Sequence, residues 1–511
     1  MPRPPNVLFI LSDQHNAKVL GHVGHPDVHT PNLDRLAAEG VRFPNAITQN
    51  PICTPSRVSW LSGQYAHNHG YYSLNGANPG GLPTILGHFR RAGYRTAAVG
   101  KIHCPEHWVE DDADFFRESV ECSIGGSPEY HAFLRAKGLE PGHRADARFR
   151  HIANAGLDGC PSPLDYENLP DGWAARQAVE FMQACADEGR PFFAHVSFHG
   201  PHGAYRPAKR FWDLYDESRL ALPPNADYAL EGKSPALRNM VRYFKEGSWI
   251  VHEPRTYEAA RLRKLHGYLG MVSMIDHAVG ELLDGLRRAG LEEDTIVVYS
   301  TDHGEYACEH GILEKAPGIC ADAVTRIPMM WRWPGRFAAG HVAPELVETV
   351  DLTATVCRLA GLEPLQTSDG LDIAHLLRGK GGAVRRLGVT EFAWSKSVRK
   401  GNFRYVYYQP EIFAAEYPDG FGELYDLASD PWEMKNLWFD PAHAAKVEEL
   451  KGDLLDWLVA TTRPRTVHPH IRFGGPQAVT RYHNTTNADG KVHADRLRDL
   501  ITREHWTRNY L

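Results

Sequence analysis

The sequence predicts an α/β fold in which a large, mostly parallel β-sheet is sandwiched by helices, with a smaller α+β domain towards the C-terminus. Two observations carry this prediction. Up to about Asp372, apolar runs of strand length alternate with longer segments of helical periodicity, as in a parallel sheet covered on both faces. Beyond that residue the apolar runs become short and closely spaced, which favours antiparallel strands.

The strands of the first domain are predicted from runs of apolar or β-branched residues. They cover 7–11, 41–47, 94–99, 191–198, 295–300 and 326–333. Several of these runs lead directly into short polar segments. Because the carboxyl ends of parallel strands meet at one edge of a sheet, we expect a ligand site there.

The predicted helices follow from caps, periodicity and stop signals. Thr30 and Pro31 begin the first helix, and Gly40 ends it. The predicted helices of the first domain cover 31–39, 57–66, 82–92, 173–188, 257–290 and 350–362. The segments 104–172 and 203–255 have weak periodicity, and we interpret them as irregular insertions. In the small domain, 398–409 and 422–427 are predicted strands and 442–460 a helix.

Three regions follow from these elements. We expect a catalytic domain over 1–375, a small domain with antiparallel strands and a terminal helix over 376–461, and a tail over 462–511. The tail is rich in His, Arg and Asn but also holds Trp506, Tyr510 and Leu511. Such a tail is either disordered or packed on a partner subunit, and these three residues favour a subunit contact of a homo-oligomer.

Composition excludes several classes of protein. With 42% hydrophobic and 23% charged residues, the 511-residue chain is globular, and a net charge of −7 gives no case for a nucleic-acid binder. No run of about 18 apolar residues predicts a membrane span, and no secretory signal is recognised at the N-terminus. Eight scattered Cys without a paired spacing predict a reduced, cytoplasmic protein.

One short segment, Cys53-Thr54-Pro55-Ser56-Arg57, stands at the start of a predicted helix. Pro55 suits the first helical position, where its missing N–H costs nothing. The unpaired N–H groups of that helix start and the Arg57 guanidinium would surround Cys53 with positive potential. This environment suits a nucleophile that attacks an anion. The alternative from these residues alone is a buried structural thiol beside a helix start.

Polar residues at the predicted strand ends complete a candidate site with that segment. Asp13, Gln14 and Asp302 offer oxygen donors, which favour a hard divalent cation such as Ca²⁺, while the nitrogen of His303 leaves Mn²⁺ or another ion open. Cationic donors for a transferring sulfuryl or phosphoryl group come from Arg57, Lys101, His103, His202 and Lys315. Each residue alone could be a turn or surface residue; their joint occurrence at strand ends favours a function.

These segments resemble the type I, formylglycine-dependent sulfatases of the alkaline phosphatase superfamily, over most of the chain. The landmarks are Pro5-Asn6-Val7, Ser12-Asp13-Gln14, Thr30-Pro31-Asn32-Leu33-Asp34, Cys53-Thr54-Pro55-Ser56-Arg57, Gly100-Lys101-Ile102-His103, Pro201-His202, Thr301-Asp302-His303-Gly304-Glu305, Glu309-His310-Gly311, Lys315, Arg326-Ile327-Pro328, Glu423-Leu424-Tyr425-Asp426-Leu427, Asp430-Pro431 and Asn436-Leu437. The resemblance implies a sulfate ester hydrolase, arylsulfatase-like, that acts on a small-molecule substrate. It also implies a maturation enzyme that converts Cys53 to formylglycine.

The resemblance further implies a role for each site residue. The implied metal ligands are Asp13, Gln14, the modified Cys53, Asp302 and His303. The formylglycine hydrate would attack the sulfur, with Arg57 and Lys101 holding it. His103 would take the proton that drives sulfate release.

Two cationic residues remain for the substrate. By the same resemblance, His202 and Lys315 would bind sulfate oxygens, and one of them would assist the leaving group.

Gln14 and His303 depart from the pattern of many sulfatases, which carry a second acidic residue and an Asp or Asn at these positions. The same pair occurs in related phosphonate monoester and phosphodiester hydrolases, so that activity is the alternative. Lys101 and His103 together favour the sulfatase. A non-catalytic anion-binding scaffold, with Cys53 unmodified, is a third hypothesis from a different class.

Overall fold

The structure is a computed structural model. It describes residues 4–74, 81–121, 125–140, 159–246, 256–315 and 318–463. Apart from its first two residues, the predicted tail 462–511 lies outside the described residues, so its place at a subunit contact stays a prediction. Within the described ranges, no helix is long and apolar enough to cross a membrane.

An eight-stranded sheet forms the centre of the protein. From edge to edge its strands are His341–Val342, Val41–Arg42, Met329–Arg332, Thr295–Thr301, Asn6–Asp13, Phe192–Pro201, Arg95–Gly100 and Phe115–Glu118. The last five of these run parallel to one another. Met329–Arg332 is antiparallel to both of its neighbours. The carboxyl ends of the central strands therefore meet at one edge of the sheet, as the sequence predicts.

The strand Asn6–Asp13 shows how the sheet is buried on both faces. Leu8 and Ile10 pack into a cluster with the helices Pro170–Glu188 and Tyr257–Arg288. Val7 and Phe9 point the opposite way, into a cluster that includes the helix Cys53–Ser62. Because side chains alternate along a strand, two helical layers require a continuous apolar run, and this is what positions 7–11 supply.

Helices of very different length cover the sheet and link its strands. The α-helices are Pro31–Glu39, Cys53–Ser62, Ala66–His69, Ile85–Arg91, Pro128–Ala136, Pro170–Glu188, Lys209–Trp212, Pro235–Lys245, Tyr257–Arg288, Asp322–Thr325, Val350–Leu359, Ala374–Leu377 and Ala444–Thr461. The 3₁₀ segments are Gly21–Val23, Glu110–Asp112, Tyr166–Asn168, Glu217–Arg219, Glu292–Asp294, Glu309–Gly311, Pro410–Ile412, Leu437–Phe439 and Pro441–His443.

Smaller sheets flank the central one. An antiparallel sheet of four strands lies near the C-terminus, in the order Gly388–Glu391, Ser395–Lys400, Phe403–Tyr408 and Gly422–Asp426. The helix Ala444–Thr461 packs on it through Leu450 and Leu454. Three short strands form another sheet, in the order Arg326–Ile327, Ala46–Ile47 and Val347–Glu348, and Val120–Glu121 pairs with Gly125–Gly126. The α/β fold with a smaller C-terminal sheet is confirmed; the boundary at residue 375 stays a prediction.

Two predicted strands are each divided in the structure. The segment 41–47 contains Val41–Arg42 and Ala46–Ile47, and 326–333 contains Arg326–Ile327 and Met329–Arg332; in both cases the two parts belong to different sheets. Pro44 and Pro328 lie at the breaks. Because proline has no N–H to donate to a ladder, each segment changes its partner strand there.

Other boundaries also differ from the prediction. The segment 398–409 is a hairpin, with Lys400 opposite Phe403 and a turn at Gly401, whose φ is 56°. The insertion 104–172 contributes the edge strand Phe115–Glu118 and the helix Pro128–Ala136. That edge strand is half-buried, so it lacks the continuous apolar run that identifies the central strands. The region 203–255 likewise holds the helix Pro235–Lys245.

Candidate active site

The polar residues predicted at the strand ends lie together at the carboxyl edge of the sheet. Asp13 is the last residue of the central strand, and Gln14 follows it in the left-handed region with a φ of 67°. The Gln14 backbone N–H donates to Asp302 Oδ1 over 3.1 Å, which joins the ends of two neighbouring strands. Both residues are fully buried or nearly so. The arrangement predicted from the polar strand ends is therefore present.

Cys53 lies among these residues. Its Sγ is 3.1 Å from His303 Nε2 and 3.7 Å from Asp13 Oδ1. Ligand-type atoms of Asp13, Cys53, Asp302 and His303 all lie within 4.8 Å of one another, so the four could hold one metal ion. The helix begins at Cys53 itself, earlier than predicted, and Pro55 is its third residue. Proline is tolerated there because the first helical N–H groups have no intrahelical acceptor.

Arg57 joins the two carboxylates of this group. Its Nε donates to Asp302 Oδ2 and its Nη2 to Asp13 Oδ2, each over 2.9 Å. Its Nη1 donates to the Lys101 carbonyl over 2.7 Å and to the Ser197 hydroxyl over 2.8 Å. The guanidinium thereby fixes three strand ends relative to one another. Burial lowers the pKa of Arg57, but Asp302 and Asp13 outweigh it and raise the pKa above its usual value.

His303 presents a nitrogen suited to a metal. Its Nδ1 lies 2.9 Å from the Gly304 carbonyl oxygen, which can only accept a hydrogen bond. Nδ1 therefore carries the proton, and Nε2 keeps a free electron pair on the side of Cys53 and Asp13. A second hydrogen bond that fixes the tautomer in this way is a regular feature of metal-binding histidines. The donor set fits a divalent cation.

Positive charge surrounds Asp13. Lys101 Nζ lies 2.5 Å from Asp13 Oδ2, and both side chains are fully buried. Burial raises the pKa of Asp13, but Lys101 and Arg57 outweigh that effect and hold the pKa well below its usual range. Asp13 is thus a buried carboxylate that stays ionised, as a metal ligand must.

His103 and His202 are kept neutral by their surroundings. Burial, followed by the charges of Lys101 and Arg57, lowers the pKa of His103 well below its usual value. Burial and Lys315 do the same for His202. Lys315 Nζ donates to His202 Nε2 over 2.7 Å, so the proton of His202 is on Nδ1, which lies 2.6 Å from the Gly203 carbonyl. His103 is therefore neutral and can accept a proton at neutral pH, whereas the electron pair of His202 Nε2 already accepts the hydrogen bond from Lys315.

The Cys53 thiol is protonated in this environment. Burial and the charge of Asp13 raise the pKa of Cys53 to about 12, against smaller opposing effects of Lys315 and Lys101. An activated thiolate nucleophile would require the opposite shift. The geometry therefore does not favour Cys53 as a thiolate in this form.

Four residues outside the predicted set complete the site: Tyr205, Lys264, Glu305 and Glu314. They surround the amide of Gln14 and the ammonium of Lys315. Glu305 belongs to the segment 301–305, and Glu314 directly precedes Lys315. Both glutamates are therefore adjacent in sequence to predicted site residues, and this adjacency could have identified them. Lys264 lies in the middle of the helix Tyr257–Arg288, where nothing local distinguishes it from a surface lysine.

The chain is similar to known proteins over most of its length. The family described as "Sulfatase" matches residues 5–362, and the one described as "N-sulphoglucosamine sulphohydrolase, C-terminal" matches 308–459. A choline-sulfatase of Rhizobium meliloti is 28% identical over 86% of this chain and 83% of its own length. An arylsulfatase of Clostridium perfringens is 28% identical over 88% of this chain and 94% of its own.

The fold also matches solved structures. The crystal structure of the phosphonate monoester hydrolase of Agrobacterium radiobacter superposes with a TM-score of 0.74 at 23% identity, covering 90% of this chain and 96% of that one. At this identity the likeness concerns the fold alone.

Proposed function

The chain belongs to the sulfatase family, and we propose that it hydrolyses a sulfate monoester through a formylglycine generated from Cys53, beside a bound divalent cation. One observation carries the proposal: Cys53 begins its helix within the same group of atoms as Asp13, Asp302 and His303. A cysteine with only a packing role does not require two buried carboxylates and an imidazole whose Nε2 faces its sulfur.

The proposed cation is Ca²⁺, held by Asp13, Gln14, Asp302 and His303 together with the modified residue 53. Carboxylate and amide oxygens favour Ca²⁺, and the single imidazole keeps Mn²⁺ as the next candidate. Formylglycine at position 53 would supply an oxygen nucleophile in place of sulfur, and a bound cation would supply Lewis-acid stabilisation of negative charge.

The remaining residues bind charge or move protons. Lys101 lies against Asp13 and presents a buried ammonium close to position 53. His103, neutral at pH 7, is the proposed base that drives sulfate release. His202, expected to bind a sulfate oxygen, directs its Nδ1 at the Gly203 carbonyl and accepts from Lys315 at Nε2, so we propose that it orients Lys315. The remaining N–H of the Lys315 ammonium would bind a sulfate oxygen and stabilise charge on the departing oxygen.

A phosphonate monoester or phosphodiester hydrolase is the second candidate. It is favoured by Gln14 and His303, the pair that the family resemblance associates with phosphonate hydrolases. Lys101 and His103, both buried close to Asp13, favour the sulfatase. A non-catalytic anion-binding scaffold ranks third, because it gives no reason for a proton-accepting imidazole at position 103.

Several finer points belong to the same proposal. We propose an arylsulfatase-like, small-molecule substrate, a separate maturation enzyme for Cys53, and a cytoplasmic location. The homo-oligomer with the tail at its contact also stays a prediction.

Kinetics on matched esters test the proposal. Purified protein, coexpressed with a maturation enzyme and loaded with Ca²⁺, is assayed on 4-nitrophenyl sulfate and on 4-nitrophenyl phenylphosphonate. We expect the larger kcat/KM on the sulfate, and no turnover of either by Cys53→Ala. A larger kcat/KM on the phosphonate would select the second candidate, and activity that survives Cys53→Ala would reject the mechanism.

A further inference from the structure

The side-chain amide of Gln14 is held by two buried carboxylates. We propose that Glu305 and Glu314 are positioning residues that fix the orientation of this amide, so that its oxygen faces the cation site. The inference rests on the proposed function in one respect, the presence of a cation beside Asp13 and Asp302. It assigns a role to two residues that lie outside the expected ligand set.

Among the described residues, the hydrogen-bond partners of the amide nitrogen are two carboxylates and a hydroxyl. Gln14 Nε2 donates to Glu314 Oε1 over 2.6 Å and to Glu305 Oε2 at short range, with the Tyr205 hydroxyl 3.4 Å away. A carboxylate can accept but not donate, so the amide nitrogen must lie on this side. Two charged acceptors on one NH₂ group leave the amide a single orientation.

The oxygen side of the amide faces the opposite way. Lys315 Nζ donates to Gln14 Oε1 over 2.7 Å, and Gln14 itself follows Asp13 and donates its backbone N–H to Asp302 Oδ1 over 3.1 Å. The amide oxygen is thus turned away from the two carboxylates, on a residue that directly adjoins Asp13 and Asp302 of the candidate metal group. A neutral oxygen there is a suitable ligand for Ca²⁺ only while the amide stays in this orientation.

The two carboxylates are themselves held in place. Lys264 Nζ lies 2.5 Å from Glu305 Oε1, and both side chains are fully buried. Tyr205 donates its hydroxyl to Glu314 Oε2 over 2.8 Å, and Lys315 donates its backbone N–H to Glu314 Oε1 over 3.1 Å. These contacts leave each glutamate with one oxygen directed at Gln14.

The charges explain why an amide occupies position 14. Two lysines, 264 and 315, balance Glu305 and Glu314 around the Gln14 side chain. A carboxylate at position 14 would place a third negative charge against these two in a buried environment. A neutral amide at position 14 avoids that additional charge and donates to both carboxylates.

Calcium affinity tests the inference without any substrate. Metal-stripped full-length protein, wild type and Glu314→Gln, is titrated with Ca²⁺ by calorimetry after matching the formylglycine content of the two samples. The new amide can offer an NH₂ group to Gln14, so the orientation of Gln14 is no longer fixed. We expect the Kd for Ca²⁺ to rise about 10- to 100-fold, the usual effect of removing an outer partner of a metal ligand. Glu305→Gln is measured in parallel and carries the test if Glu314→Gln does not fold.

A double-mutant cycle separates positioning from a general structural effect. In a Gln14→Ala background, Glu314→Gln should cause no further loss of Ca²⁺ affinity, because the amide on which it acts is gone. The matched control is Glu309→Gln, a buried glutamate from the same segment that binds Lys18 and Asn16. Its Kd should stay within about twofold of the wild-type value.

Three results would overturn the inference: an unchanged Kd in Glu314→Gln, a loss that adds to that of Gln14→Ala, or an equal loss in Glu309→Gln. None of them depends on turnover. A wild-type protein that binds Ca²⁺ but hydrolyses no ester would reject the proposed function and leave the positioning role intact.

Discussion

Two buried clusters in this protein have the same basic composition, one arginine between two carboxylates. At the candidate active site, Arg57 bridges Asp13 and Asp302. Near the small C-terminal sheet, Arg385 bridges Glu348, 2.5 Å away, and Asp351. All four carboxylates are fully buried or nearly so. The bridging arginine alone therefore does not identify an active site.

The surroundings of the two clusters differ. Around Arg385, neutral donors satisfy the carboxylates: the Tyr65 hydroxyl donates to Glu348 over 2.7 Å, the Val389 N–H to the same residue, and the Leu371 N–H to Asp351. Among the described residues, no lysine forms an ion pair with Glu348 or Asp351. The cluster is closed, with each carboxylate oxygen directed at a protein donor.

Around Arg57, additional cations and ligand-type atoms are present. Lys101 and Lys315 add positive charge, and Cys53 and His303 direct unshared electron pairs at the same point. The pKa values record the contrast. Burial raises the pKa of Glu348 to about 7 despite Arg385, whereas the cations near Asp13 hold its pKa well below the usual range. Surplus positive charge is what distinguishes a site for an anion from a structural ion cluster.

The largest expected difference between the clusters is in the consequence of losing a cysteine. Cys53→Ala should reduce kcat/KM for a sulfate ester about 10⁴-fold or more, because it removes the proposed nucleophile. Cys357→Ala, in the helix that also carries Asp351, removes an equally buried thiol and should leave turnover unchanged. Steady-state kinetics on both variants, with folding checked by thermal melting, make the measurement. Equal activities of Cys53→Ala and Cys357→Ala would contradict the proposed difference between the two clusters.

The next effect concerns the neutral imidazole at position 103. His103→Gln should lower kcat about 10²- to 10⁴-fold through loss of the base. In the wild type, activity should fall as pH drops through the pKa of this imidazole, and that limb should lie below pH 6.5 because burial, Lys101 and Arg57 lower the pKa. Tyr65→Phe, which removes a donor from the other cluster, should leave the pH profile unchanged. If His103→Gln keeps the acid limb of the pH–activity profile, that limb belongs to the titration of another group.

The two arginines themselves give a matched pair. Arg57→Lys and Arg385→Lys each leave buried acceptors unsatisfied, since a lysine cannot bridge two carboxylates as a guanidinium does, and each should lower the free energy of unfolding by about 1–3 kcal/mol. Only Arg57→Lys should also lower turnover per folded molecule, by about 10²-fold, because it displaces Asp13 and Asp302. Urea unfolding and active-site-normalised kinetics separate the two effects. A similar loss of turnover in Arg385→Lys would show that the clusters are coupled.

The smallest effect is a pH dependence of stability at the structural cluster. The pKa of Glu348 is about 7 in the folded protein against 4.5 for an ordinary glutamate, so the folded state binds the proton more tightly. Its contribution to stability is therefore present below about pH 4.5 and is lost as pH rises to about 7. Relative to Glu348→Gln, the wild-type Tm should fall across that window, by an amount equivalent to about 1–3 kcal/mol. Parallel Tm curves would mean that Glu348 is ionised throughout.

The sequence predicts the sheet and its ligand edge well because both depend on local patterns. The continuous apolar run before Asp13 identifies a doubly buried strand, and the polar residues after it identify the edge. The prediction of strands fails where strand pairing depends on distant residues. Pro44 and Pro328 lie where two predicted strands are divided between sheets. The edge strand Phe115–Glu118 is half-buried and has no continuous apolar run. Gly401-Asn402, a turn sequence, marks a hairpin within one predicted strand.

The site shows the same division between local and distant information. Asp13, Cys53 and Lys315 lie in recognisable segments, and the structure brings them together. Lys264 reaches Glu305 from the middle of a long helix, where helical periodicity shows only that a position is buried. The orientation of the Gln14 amide depends on this distant pair and on Glu314, so no local segment could predict it.

The mass of one peptide tests the central claim most directly. Trypsin releases residues 43–57, which contain Cys53 and end at Arg57. In protein from its native host, or coexpressed with a maturation enzyme, conversion of Cys53 to formylglycine should lower the peptide mass by about 18 Da. A fully unmodified cysteine in native-host protein would contradict the formylglycine mechanism. The site would then be a candidate cation site beside a protonated thiol. The hypothesis of a non-catalytic anion-binding scaffold would take the place of the sulfatase.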